Sequence, residues 1–244
     1  MSPIRRSVHS LRSSSAGELG EFIALNLKTM SEEEALAVLA NRYVTPPLCQ
    51  SIAQNQRLTA FYSIRLRLVE HRSTPQAHAV KLVHYLHWPD MVRLSVDVRV
   101  SPTVRRAIDT QLLLRVNKLT LGEKIASAKR CSPALIKALL FDPDPRVFSA
   151  LLLNQRVRED DLLLIAGSDR ASAEKLQLIA GDRKWSSRYA VRKALVMNPR
   201  TPRSIAASQL RFLTNRDLHQ ILGHPATSVY LRRCIERLRP ALIG

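Results

Sequence analysis

Asn154-Gln155-Arg156-Val157 closes the leucine-rich run at residues 150–153, and the same pattern closes three other apolar runs. Its counterparts are Asn55-Gln56-Arg57-Leu58, Asp97-Val98-Arg99-Val100 and Asn198-Pro199-Arg200-Thr201, with looser relatives beginning at Asn41, His71, Lys129, Ser168 and His224. Each is followed within a few residues by Pro or an acidic residue and a new helical pattern. Pro46, Pro75, Pro102 and Pro133 keep the beat at intervals of 29, 27 and 31 residues. It continues less clearly through Glu159 and returns at Pro202. Units of this length fit a pair of short helices joined by a turn, and a fixed period of roughly 20–50 residues is the mark of repeat architectures. Asn or Asp can cap one helix end, and Pro is favoured at the first helical position, where its missing N–H does no harm.

Inside the units the apolar spacing is helical. Leu135, Ile136, Leu139 and Leu140 fall at i, i+1, i+4 and i+5, and Tyr189, Val191 and Leu195 share a face. A second motif opens the other helix of several units. Val104-Arg105-Arg106-Ala107 recurs as Val191-Arg192-Lys193-Ala194 and, loosely, as Tyr230-Leu231-Arg232-Arg233. Asp142-Pro143-Asp144-Pro145-Arg146-Val147 supplies a turn leading into a similar helix, and Ser31 with Glu34 makes a capping box opening residues 35–40. One stretch points elsewhere: Val92, Leu94, Val96, Val98 and Val100 alternate with polar residues as a strand would. Its register with residues 154–157 sets 90–96 as helix and 97–101 as turn, and Trp88-Pro89-Asp90 reads as a turn between helices.

Composition agrees with an all-α chain. Hydrophobic residues make up 45% and are mainly Leu, Val, Ile and Ala, while Gly is scarce at 7 of 244 residues. Straight side chains lose little rotamer freedom in helices, and the 13 prolines must lie between helices or in first turns. Lys and Arg total 38 against 20 Asp and Glu, a formal charge of +18 that suits nucleic acid, an anionic surface or an acidic protein. Cys49, Cys131 and Cys234 have no metal-ligand spacing and read as buried free thiols of a reducing compartment. No apolar run approaches the ~18 residues of a membrane span. A cytoplasmic, monomeric protein is expected, with a disordered basic tail over residues 1–18 and a single helical-repeat domain over 19–244.

An Asp/Pro turn followed by Val-Arg-x-Ala resembles the HEAT repeat. The segment from Tyr189 through Asn198-Pro199-Arg200-Thr201-Pro202 also resembles the bacterial leucine-rich-repeat-variant and other HEAT-like families. The likeness covers residues 35–240. It implies a right-handed superhelical solenoid of stacked short helix pairs, with second helices often lining a concave surface. The iron–sulfur cluster of some leucine-rich-repeat-variant proteins needs a cysteine group that this chain lacks, and no cofactor is expected.

The residues offer little for catalysis. His84 and His87 stand at i, i+3, where two metal ligands can share a helix face, but no acidic or cysteine partner beyond Asp90 has a convincing spacing. Glu159, Asp160 and Asp161 lie at a helix start, where carboxylates favour the helix dipole. No phosphate-binding glycine loop, nucleophile elbow or His-Glu-x-x-His is present. The helical-repeat alkylpurine DNA glycosylases share the expected architecture and basic charge, and Trp88, Asp90, Trp185 and Arg188 are the residues such an enzyme would use. Their local patterns do not match, so no catalytic role is carried over.

The arginines remain. Residues at one repeat position of a solenoid stack into a row. Arg57, Arg99, Arg156 and Arg200 are expected along one edge, and Arg105, Arg106, Arg146, Arg192, Lys193, Arg232 and Arg233 near the starts of the second helices. Turn arginines can instead bond free helix-end carbonyls, and Asp142 or Asp144 can pair with Arg146 or Arg192. The function expected is a non-catalytic scaffold holding an acidic protein partner. A solenoid tracking nucleic-acid phosphates is the alternative, disfavoured for single strands by the shortage of aromatics.

Overall fold

The computed structural model describes residues 8–225 and 227–240, and every regular element among them is a helix. Contacts divide the chain into two compact units, Met1–Lys118 and Leu119–Gly244. The boundary follows a 3-10 turn, Val116–Lys118, and lies inside the single domain expected over residues 19–244.

The first unit holds α1 (Val8–Leu11), α2 (Ala16–Asn26), α3 (Glu32–Ala40), α4 (Pro46–Gln54), α5 (Gln56–Thr59), α6 (Tyr62–Glu70), α7 (Gln76–Val83), α8 (Trp88–Ser95) and α9 (Pro102–Arg115). The second holds α10 (Leu121–Ala128), α11 (Pro133–Leu140), α12 (Pro145–Leu152), α13 (Glu159–Ala166), α14 (Ala173–Gly181), α15 (Tyr189–Met197), α16 (Arg203–Leu210), α17 (Asn215–Gly223) and α18 (Val229–Leu238). Most of these are eight to eleven residues, too short to be stable alone, so their helicity rests on the apolar stripes they bury.

Local chemistry fixes where the helices begin. Pro46, Pro102, Pro133 and Pro145 each occupy the first turn of a helix, so no intrahelical hydrogen bond is lost. Ser31 and Glu34 form the expected reciprocal box at α3, and Ser15–Glu18 and Thr120–Glu123 repeat it at α2 and α10. The alternating stretch is helical through Ser95. Val92 and Leu94 are buried and Val98 is 83% exposed in the turn that follows, so the alternation does not mark one face of a strand. Trp88-Pro89-Asp90 is the first turn of α8 rather than a connection, because Pro and Asp are both favoured there.

Each helix packs against near neighbours in sequence. In the first unit α3 meets α6, α6 meets α7, and α7 and α8 both meet α9. In the second, α10 meets α12, α12 meets α14, α13 meets α15, and α16 meets α18. Val196, Leu210, Leu213, Leu218, Ile221, Leu231 and Ile235 form one such buried cluster. Full burial contributes roughly 1.5–3 kcal/mol per large aliphatic side chain.

The recurring Asn has a second use. Asn154 is buried, and its Oδ1 accepts from the Arg156 N–H at 2.9 Å while its Nδ2 donates to Ala128 O at 2.8 Å and Cys131 O at 3.3 Å. Asn198 accepts from Arg200 N–H at 2.9 Å and donates to Ala166 O and to Ser168 O at 2.6 and 3.0 Å. Asn41 does the same with Tyr43 N–H, Leu11 O and Ser14 O, each at 2.8 Å. The amide closes its own turn and ties it to a turn some thirty residues earlier. Such an amide, buried and fully bonded, is costly to replace.

Part of the expected tail is therefore structured. Leu11 is buried and its carbonyl is held by Asn41, whereas residues 1–7 lie outside the described residues. Cys49 and Cys131 are buried free thiols, and Cys234 is only half-buried. Among the described residues no helix is long and apolar enough to cross a membrane.

Candidate basic binding surface

The turn arginines do not share one environment. Arg57 donates to Met30 O, in the turn that joins α2 to α3. Arg99 folds back on Asp97 through Nε and Nη2, at 3.1 and 2.7 Å, and holds that carboxyl down at about 2. Arg156 and Arg200 are exposed, and among the described residues neither guanidinium has a hydrogen-bonding or ion-pair partner. Two of the four are thus occupied locally and two are free.

The helix-start cations divide in the same way. Arg106 and Arg233 are exposed without a partner among the described residues, and Arg105 is half-buried with its Nε unbonded. Arg146 pairs with Asp144 of its own turn, Nη2 to Oδ2 at 2.8 Å, and so lowers the Asp144 pKa. Asp142 is taken by Lys124 at 2.7 Å, so it serves neither Arg146 nor Arg192. Arg232 reaches Thr227 O and His224 O, at 3.4 and 3.3 Å.

Arg192 and Lys193 are the best-organised members. Arg192 Nε donates to Ser186 O, and its guanidinium carbon stands 3.8 Å from the centroid of the Phe212 ring. Lys193 Nζ donates to Asp217 Oδ1 at 2.9 Å and Gln220 Oε1 at 3.0 Å. Tyr189 Oη also donates to Asp217, and these two donors hold the Asp217 carboxyl below its usual range. Arg211 lies 4.7 Å from the same Phe212 ring. Lys184 caps Trp185 at 4.0 Å, and Trp185 is buried. Phe212, Arg211 and Lys184 escape sequence reasoning because they belong to no repeated motif. Their signal is the rarity of aromatics combined with a flanking cation, as in Lys184-Trp185 and Arg211-Phe212.

Charge concentrates here. From Asp182 to Asp217 the chain carries nine Lys and Arg against two Asp. Asp217 is neutralised by Lys193, and Asp182 accepts from the Lys184 and Trp185 backbone N–H groups. Arg183, Arg188, Arg192, Arg211 and Arg216 have no carboxylate partner among the described residues.

Other chemistry-bearing groups are occupied or held neutral. Cys49 Sγ lies 3.6 Å from His71 Nδ1, the arrangement of a nucleophile and base. Burial, however, pushes the thiol up to about 11 and His71 down, which keeps the sulfur protonated at neutral pH. His71 Nδ1 accepts from Ser73 N–H at 3.1 Å, and a cleft of about 260 Å³ adjoins it, lined by Arg72, Gln76 and Arg99. Lys175 is buried, donates to Leu140 O at 2.8 Å, and has its pKa lowered by burial. His84 and His87 do not converge with acids: among the described residues no three His, Cys, Asp or Glu side chains gather as a metal site. Asp90 is taken by Tyr62 Oη and Arg93. No family model, curated protein or solved structure matches the chain.

Proposed function

We propose that the chain is a HEAT-like helical-repeat scaffold, a solenoid of short helix pairs that holds an acidic protein partner without catalysing a reaction on it. The observation that carries this reading is the excess of positive side chains left uncompensated among the described residues, Arg156, Arg200 and Arg233 of the second unit among them. Packing between near neighbours and the buried Asn bridges support the repeat architecture, because a stack of units buries its core through adjacent units. Several arginines of both rows are spent on Met30 O, Asp97, Asp144 and His224 O, so they do not form an unbroken phosphate track.

Fluorescence anisotropy of labelled polyglutamate, duplex DNA and RNA with the full chain across a salt series tests this. The acidic peptide should bind at ~150 mM salt and weaken as screening rises. Nucleic acid binding that persists there, with log K falling by about 0.9 per phosphate contacted, would replace the protein partner with a nucleic acid. No binding to any probe would remove the scaffold reading.

A further inference from the structure

Two guanidinium groups held over one ring, with no carboxylate paired to either among the described residues, make an arrangement that an anion would stabilise. We infer that Arg192 and Arg211, clamped on Phe212, form the carboxylate-binding centre through which the second unit grips an acidic polypeptide segment. This rests on the scaffold reading and names its site.

The geometry begins with Phe212, 40% exposed between α16 and α17. Arg192 and Arg211 stand 3.8 and 4.7 Å from its ring centroid, so the two like charges are at most the sum of those distances apart. Ring and cation attract through the ring quadrupole, but neighbouring cations repel, and among the described residues no acid pairs with either guanidinium. Asp217, the nearest carboxylate in sequence, is already bonded by Lys193, Tyr189 and Thr214. Arg192 is also oriented, because its Nε is fixed on Ser186 O. That leaves the terminal Nη edge to face a ligand, the edge that takes a carboxylate through two parallel N–H···O bonds. Arg183, Arg188 and Arg216 surround the pair in sequence and add to the attraction at longer range.

The aromatics decide between classes of partner. Single-stranded nucleic acid would need open ring faces for its bases. Here Phe212 is occupied by guanidinium groups, Trp185 is buried under Lys184, and Tyr189 is tied through its hydroxyl to Asp217. Side-chain carboxylates on a flexible acidic segment need only the charged N–H edges.

Isothermal titration of the full chain with polyglutamate tests the assignment, alongside circular dichroism to establish that each variant is folded. Arg192→Glu with Arg211→Glu should weaken binding by roughly tenfold or more. Arg192→Lys, which keeps the charge but loses the planar fork, should weaken it about threefold. Phe212→Leu, with no change in charge, should cost a similar factor because the guanidinium groups lose their platform. Lys28→Glu with Lys81→Glu, two exposed positions outside both arginine rows, removes as much charge from the first unit and should change binding by less than about twofold. Equal losses from both charge reversals, or no effect of Phe212→Leu, would overturn the site and leave the scaffold reading standing. Tighter binding of duplex DNA, lost through the same Arg192 and Arg211 changes, would overturn the acidic polypeptide as occupant. Failure of the unaltered chain to bind polyglutamate would remove both.

Discussion

Val104-Arg105-Arg106-Ala107 and Val191-Arg192-Lys193-Ala194 are nearly the same four residues, yet their basic side chains end in different places. Arg106 projects into solvent without a partner among the described residues, and Arg105 leaves its Nε unbonded. Arg192 is fixed on Ser186 O and Phe212, and Lys193 reaches Asp217 and Gln220 of α17. The adjacent turn motif differs in the same sense. Asp97 spends its carboxylate on Arg99 of its own turn, whereas Asn198 reaches back to Ala166 and Ser168. A motif positions the backbone of its helix, and the residues brought opposite it decide whether its side chains are free, locally paired or built into a site. An Asp and an Asn satisfy the same turn N–H, but only the amide can also donate to a neighbouring carbonyl.

The largest effect expected from this difference is at Asn198. Asn198→Asp removes both donated bonds and places a carboxylate against two carbonyl oxygens in a buried site. It should cost about 2–4 kcal/mol at neutral pH and lower the thermal midpoint by roughly 5–10 °C. Asp97→Asn, the reverse exchange in an exposed pair, should change stability by less than about 0.5 kcal/mol. Urea unfolding followed by circular dichroism separates the two, and equal costs would erase the distinction between bridging and local turns.

A smaller effect concerns acid. Arg99 holds the Asp97 carboxyl at about 2, below the ordinary Asp value, so folding favours its charged form. Its contribution is complete above about pH 4 and is lost as pH falls toward about 2. Thermal midpoints between those limits should fall less steeply in Asp97→Asn than in the unaltered chain. Parallel curves would mean that the Asp97–Arg99 pair contributes nothing to stability.

Much of this was legible in the residues. The Asn/Asp-x-Arg turns, the first-turn prolines and the Ser31–Glu34 box follow from backbone valence and fixed φ, which act locally and therefore leave a local signature. Even the alternating valines near residue 96 yield once aligned with residues 154–157. The arginine environments were not legible, because they depend on contacts across the chain. Nothing around Arg192 announces Phe212 twenty positions later, and nothing in Asp142 tells that Lys124 will claim it. The end of the expected tail was missed for a similar reason, since Leu11 is held by Asn41.

Backbone amide chemical shifts of the labelled full chain, followed as polyglutamate is added, locate directly the surface that takes the acidic segment. Perturbations should concentrate between Asp182 and Asp217 and be strongest around Arg192, Arg211 and Phe212, with the helix opened by Val104-Arg105-Arg106-Ala107 nearly unmoved. Perturbations of equal size in both helices, or confined to residues near Arg105, would contradict that assignment.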